Sequence, residues 1–455
     1  MHPSSFSLPS SASPPSDHPR YPVSPTSRLY SRRAVSAWTL YDFANSSFTT
    51  LVVTFVYSTY FTRAIAADEV TGTGQWASAV TVTALVVALL SPYVGAIADR
   101  GGYRKRFLLI TTAVCIAGTV GLFFPQEGEV MLALTIFVVA NVAFEMANVF
   151  YNAYLPELAP PEKIGRISGY GWGLGYVGGL LCLVVALFVF VNPETPPFGL
   201  SKADGGHVRA TNLLVAGWFA LFALPMFIWV KDRKVPLFPK EKSLFRSANR
   251  QFIGTFHEIR QQYRQVFRLL LARLVYNDGL VTIFAFGGIY AQGTFGFTTE
   301  DVILFGIAIN VSAGAGAFLF GFVDDRIGAK RTIMITLAGL VVAVSMAVLA
   351  PSRPWLWASA LLIGLLVGPN QSASRSLMGR FVPETKENEF YGFFAFSGKA
   401  TSFLGPYLLG TFTGLFGSQR YGVATVLIFF VIGAILLTRI DEAEGIRLAR
   451  QPVEE

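Results

Sequence analysis

Two stretches place ionisable and amide side chains among apolar residues. The first is LYDFANSSF, residues 40–48, with Asp42 and, about one helical turn on, Asn45. The second runs from Asn141 through Glu145 and Asn148 to Asn152, at steps of four, three and four. Those steps put one carboxylate and three amides on a single helix face. Asp278, Asn370 with Gln371, Arg375 and Lys399 lie in further apolar runs. A charge at the bilayer centre costs at least about 2.5–3.5 kcal/mol on insertion scales. Side chains of this kind therefore face a wet cavity, a solute or one another. An acid can meet an ammonium group or carry a proton. Arg375 offers a planar fork to a carboxylate, and Lys399 a point charge. Such a set can hold a zwitterion. The alternative is that acids and bases pair and lock helices together. Tyr41, Trp172 and Tyr176 are candidates to shape a pocket, while Arg273 is expected to snorkel to an interface.

Composition says what must position these groups. The chain has 455 residues, 53% hydrophobic and only 14% charged, with 40 Phe and 43 Gly. A soluble protein carries about 25% charged residues. The fold class expected is an all-α membrane protein with twelve transmembrane helices. The apolar runs lie at 36–62, 76–98, 107–124, 129–154, 167–191, 211–230, 266–291, 300–323, 332–350, 355–379, 390–414 and 421–438. The fourth, tenth and eleventh carry the most polar residues. Asp42 lies nine residues past Arg33, roughly 13 Å along a helix. That reaches near the middle of a hydrocarbon core about 30 Å thick. Asp278 stands at a similar depth after Arg268, which makes the two aspartates candidate repeat mates.

An even number of spans puts both termini on one side. With that side as the cytoplasm, 28 of the 36 Lys and Arg fall in inside segments and five outside. The positive-inside rule then predicts a multi-pass membrane protein with both termini cytoplasmic. The net charge of +8 is thus spread between spans rather than gathered on a face for nucleic acid. Cys115 and Cys182 lie in apolar runs, and the four His show no metal-ligand spacing, so no metal or cofactor is expected. Residues 1–33 are rich in Ser and Pro, lack the apolar core of a signal peptide and read as a disordered cytoplasmic tail.

The chain repeats itself. GAIADRGGYRKR (95–106) and GFVDDRIGAKR (321–331) match at Gly95 and Gly321, Asp99 and Asp325, Arg100 and Arg326, Gly102 and Gly328. Arg104 and Lys330 close the two patterns. LPE at 155–157 answers VPE at 382–384. Two six-helix bundles, 34–230 and 266–440, are therefore expected around a central site, with a cytoplasmic tail at 441–455. The paired D-R loops are read as gates: each aspartate can face the positive end of another helix, and the bases can pair across the two halves. Their glycines are expected to make tight turns. Phe245, Ala248, Phe252, Phe256, Ile259 and Tyr263 form an apolar stripe in the basic linker 231–265, with Arg246, Arg250, Arg264 and Arg268 largely off it. That helix lies either on anionic lipid or against the bundle.

The doubled G-x-x-x-D-R-x-G-x-[RK] loop, placed after spans 2 and 8, resembles the signature of the major facilitator superfamily. WTLYDFANSSF (38–48), GPNQSASRSLMGRFVPE (368–384) and EFYGFFAFSGKATSFLGP (389–406) resemble a branch of it, the autophagy-related vacuolar effluxer family and its bacterial relatives. The likeness covers about residues 34–440 and implies transport. Fungal members are implicated in releasing amino acids from the vacuole. A vacuole lumen corresponds to the outside of a bacterium, so that activity maps onto uptake. The expected function is secondary active transport of a small polar or zwitterionic solute by rocking of the halves, with protons as coupling ion and membrane lipids as surroundings. The alternatives are an exporter of drugs or lipophilic cations, or a non-transporting receptor. No G-x-x-x-x-G-K-[ST] loop is present for ATP drive, and no motif marks an enzyme.

Overall fold

The computed structural model describes residues 30–101, 103–232, 244–384 and 386–451; the side chains of Arg100, 244–251 and Thr299 lie outside that description, as does Gly102. The described residues form helices and connecting turns, without a strand. Helices cover all twelve expected spans. They are α1 (Arg32–Ser47, prolonged through wide π-type turns to Ile65), α2 (Glu69–Gly101), α3 (Arg104–Gly121), α4 (Val130–Asn152), α5 (Ile164–Val185) and α6 (Gly206–Trp229) in the first half. The second half holds α7 (Arg264–Phe295), α8 (Thr299–Ile327), α9 (Ala329–Val348), α10 (Arg353–Phe381), α11a (Glu387–Lys399) with α11b (Leu404–Phe416), and α12 (Gln419–Thr438).

Eight of these are long and apolar enough to cross a membrane by themselves. The other four depart for visible reasons. α1 and α11 are interrupted, α3 opens on Arg104, Lys105 and Arg106, and α10 carries Asn370, Gln371 and Arg375. The break in α11, at 400–403, leaves backbone groups without helical partners. Side chains of α7 supply one: Asn277 Nδ2 donates to the Gly398 carbonyl at 2.9 Å. In turn, the Thr401 hydroxyl donates to the Leu274 carbonyl at 3.1 Å. Irregular backbone at membrane depth requires such protein partners. Arg273 belongs to the same set. Instead of snorkelling, it turns inward, donates to the Phe394 carbonyl at 2.6 Å and lies 3.7 Å over the Phe394 ring.

The duplication seen in the sequence recurs in the packing. Within the first half α1 packs on α5 and α6, and α4 on α2 and α3; the second half repeats this with α7 on α11 and α12, and α10 on α8 and α9. Between halves α2 meets α11a, and α5 meets α8. These two seams are equivalent under a pseudo-twofold axis.

Each seam depends on a glycine of the D-R motif. A Cβ on Gly95 would run into the backbone carbonyl of Asn388, and one on Gly321 would lie 2.9 Å from Arg166 Cα. The expectation that these glycines make turns is corrected: they sit inside α2 and α8 and permit close approach of backbones. Gly328, at φ +93°, is a true turn residue.

The linker contains a helix, Leu244–Gln261. It rests against the bundle across the α2–α11a seam, where Phe252 stacks on Tyr93 of α2 at 4.6 Å and on Phe393 of α11a at 5.5 Å. Ile259 and Tyr263 are buried, whereas Phe256 remains exposed. Residues 442–449, expected within a tail, form a short helix whose Glu442 carboxylate accepts from Ala329 N and Lys330 N at the start of α9.

Candidate functional site

A central cavity of about 460 Å³ lies between the halves. Ser46, Thr50, Trp172, Tyr176, Gln292 and Asn310 are among the residues that line it. None of its lining residues is charged. They come mainly from the parts of α1, α5, α7, α8 and α10 remote from the D-R loops, with Ala347 of α9, Leu409 of α11b and Val423 and Val426 of α12 completing the wall. The cavity therefore belongs to the end of the molecule opposite those loops, called here the loop end.

Four of the five ionisable residues expected at the site, Asp42, Glu145, Arg375 and Lys399, pair across the two halves. Arg375 on α10 donates to Asp42 on α1 at 2.9 Å. The pair is nearly inaccessible, with Asp42 9% and Arg375 3% exposed. The expectation that Asp42 faces a wet cavity is thus corrected for this conformation. Arg375 also donates to Asn152 at 3.3 Å and to the hydroxyl and carbonyl of Ser168 at 3.0 and 2.7 Å. A buried guanidinium needs this many partners. Its flat faces meet aromatic rings, at 4.8 Å from Trp38 and 5.6 Å from Trp172. Trp172 lines the cavity as well, so one indole separates the solute space from the buried pair.

The second pair is Lys399 on α11a with Glu145 on α4, at 2.7 Å. It is more open: the side chains are 32% and 19% exposed. Asn148 is half-buried near it and accepts from Asn45 Nδ2 at 3.1 Å. Gln371 is half-buried on α10. Asp278 on α7 is set apart. It is 2% exposed, its Oδ2 has no hydrogen-bond partner, and no base pairs with it among the described residues.

At the loop end the two motif aspartates do one job on two seams. Asp99, at the end of α2, accepts from Asn388 N and Glu389 N at the start of α11a, at 3.2 and 2.8 Å. Asp325, at the end of α8, accepts from Gly165 N at the start of α5, at 2.8 Å, and pairs with the Arg166 guanidinium. Each carboxylate thus neutralises the positive N-terminal end of a helix in the other half. Arg104 adds a bridge, reaching Glu157 of its own half at 3.1 Å and Glu387 of the other at 3.3 Å. Lys330, its repeat mate, stays within its half and donates to carbonyls at and just past the end of α12, Thr438 O at 3.2 Å among them. Arg326 is exposed. These contacts join the two halves at the loop end, while the cavity lies at the other end.

Several partners in this network escape a reading of the sequence. Arg166, Glu157, Glu387, Arg380 and Glu442 sit near helix ends, where charge is ordinary. Arg380 joins Asp324 at 2.8 Å to Glu442 at 3.0 Å. Only the LPE/VPE repeat pointed at Glu157. Trp38 and Tyr151, which stack at 4.6 Å and support Arg375, are aromatic residues in apolar runs and carry no charge that would mark them in the sequence.

Two six-helix halves, seams latched at one end and a cavity between them define a secondary transporter of the major facilitator superfamily, which is not an enzyme. A superfamily profile matches residues 7–183, and the profile described as vacuole effluxer Atg22 like matches 161–450. The chain belongs to this vacuolar effluxer family. It is 28% identical over 421 residues to an uncharacterized MFS-type transporter, YxiO, of Bacillus subtilis, covering 91% of this chain and 96% of that protein. It is 25% identical to autophagy-related protein 22 of Yarrowia lipolytica, covering 79% and 74%. Among solved structures, the proton:xylose symporter XylE superposes with a TM-score of 0.69 at 13% identity, covering 91% of this chain and 96% of that one.

Proposed function

We propose that this chain moves a small polar or zwitterionic solute, of the amino-acid class, across a bacterial inner or plasma membrane by alternating access coupled to protons. The loop end and both termini face the cytoplasm, in keeping with the distribution of Lys and Arg. The observation that carries this reading is the Glu145–Lys399 pair. It crosses between halves, yet both side chains retain access to water. A zwitterion entering the central space can exchange for it, its ammonium taking Glu145 and its carboxylate taking Lys399. That exchange removes a bond between the halves at the moment the solute arrives. Solute binding and the rocking of the halves then share one free energy. Hydroxyls and amides of the cavity, with Asn148, Asn152 and Gln371, supply the remaining polar contacts.

Asp278 is the candidate proton carrier, because no base among the described residues pairs with its carboxyl to hold it ionised. The test is counterflow in proteoliposomes with a panel of labelled amino acids, run with and without a pH gradient. Exchange of at least one member, with accumulation above equilibrium only under the gradient, is expected. Absence of exchange across the panel removes the solute class; accumulation indifferent to the gradient removes the coupling.

A further inference from the structure

A second space, of about 1000 Å³, opens on the outer flank of the bundle between α1, α5 and α8. It shares Tyr176 and Asn310 with the central cavity at its upper end, but differs from it in carrying charged residues at its other end. Its walls are apolar side chains turned outward: Leu174 and Val177 of α5, Val311, Phe318 and Leu319 of α8, each between 38% and 57% exposed. Its loop-end mouth carries Tyr30, Arg32, Lys163 and Arg166. No acidic residue lines it. Arg166 is held by Asp325, whereas Arg32 and Lys163 are exposed and form no ion pair among the described residues. Along α5 the groove runs from Lys163 to Leu180, 17 residues or roughly 25 Å. Acyl chains anchored at one headgroup layer span one leaflet, roughly half of a hydrocarbon core about 30 Å thick, so the groove is long enough for a chain.

We infer that this groove binds one anionic phospholipid, with its phosphate on Arg32 and Lys163 and an acyl chain laid along α5 and α8. The argument is charge complementarity at a fixed depth. Two unpaired bases stand where a headgroup lies, directly below an apolar trough that matches a chain. A zwitterionic headgroup balances its phosphate with its own ammonium and brings no net negative charge to the two bases, whereas each base near an anionic headgroup contributes about 1 kcal/mol. The site also touches the latch. α5 and α8 form one of the two seams between halves, and Arg166 both lines the groove and closes that seam. A lipid held there loses part of its wall when the seam opens, so occupancy favours the conformation described here.

Native mass spectrometry tests this on the full chain, released from bilayers of equal phosphatidylglycerol and phosphatidylcholine. One retained phosphatidylglycerol per chain is expected. The Arg32→Gln/Lys163→Gln variant should lose it by about tenfold or more, two contributions of about 1 kcal/mol each. Arg106→Gln/Arg331→Gln, which removes two other exposed loop-end bases, should keep it. Equal loss in both variants, or no loss in the first, overturns the site. So does equal retention of phosphatidylcholine. Displacement by glycerol 3-phosphate alone would mark an anion site without a lipid. Retention that appears only after residues 1–28 are deleted would assign the groove to that segment instead.

Discussion

Removing either member of a buried ion pair strands the other, so the Asp42–Arg375 pair makes a sharp prediction. Such a loss costs about 3–5 kcal/mol, while replacing both partners is often nearly neutral. Asp42→Asn and Arg375→Gln should each lower the thermal midpoint, and the double variant should regain at least half of the loss. Thermal unfolding followed by intrinsic fluorescence reads this, and additive losses would contradict the pairing. Transport should fail in all three variants, because a pair that crosses the halves must break and reform in each cycle. Asp278 gives the opposite pattern. Asp278→Asn should keep counterflow yet lose accumulation driven by a pH gradient, since solute exchange needs no net proton movement. Loss of both activities would place Asp278 in solute binding rather than coupling. The sequence made these residues visible as charges out of place. It could not show that Asp42 faces Arg375, 333 positions away. Helical spacing assigns a side chain to a face of its own helix and says nothing about which helix stands opposite.

At the scale of helices, the duplicated motif carried more than hydropathy did. Apolar runs located the spans, including α4, whose polar stripe raised doubt. The 226-residue offset paired Asp99 with Asp325, and the structure gives both the same task on equivalent seams. What the offset could not reveal was the seam itself. Gly95 and Gly321 sit where turn glycines are common, and only the approach of Asn388 and Arg166 shows why no side chain fits. The interruption of α11 was hidden for a related reason, since its hydrogen-bond partners stand on α7. Close approach also gives a prediction. Gly95→Ala and Gly321→Ala each put a methyl group into backbone of the other half, a clash that exists only while the loop end is closed. Spin labels at the exposed Arg106 and Arg331 should report longer distances in either variant, with α-helical content unchanged. An unaltered distance distribution would show that the seams tolerate a side chain.

For the molecule as a whole, both seams and both central pairs must open together if the cavity is to change sides. A carboxylate at a partly buried helix N-terminus contributes up to about 2 kcal/mol. Removing the two motif carboxylates by Asp99→Asn/Asp325→Asn therefore shifts the balance of states by up to about 4 kcal/mol, on the order of a thousandfold. That is enough to move a population from one side to the other, provided the two states differ by only a few kcal/mol. Thr54 is exposed and lines the central cavity at the end remote from the loops, while Cys115 and Cys182 are fully buried and give no background. In vesicles with the native orientation, Thr54→Cys should react rapidly with a membrane-impermeant maleimide added outside. The same cysteine in the Asp99→Asn/Asp325→Asn background should react at least tenfold more slowly. A solute that exchanges for Glu145–Lys399 should likewise slow the reaction, because it releases the halves to rock away from the outer opening. Equal rates in both backgrounds would mean that the loop-end carboxylates stabilise the fold without setting which side is open, and the geometry of two mirrored caps on two mirrored seams argues against that.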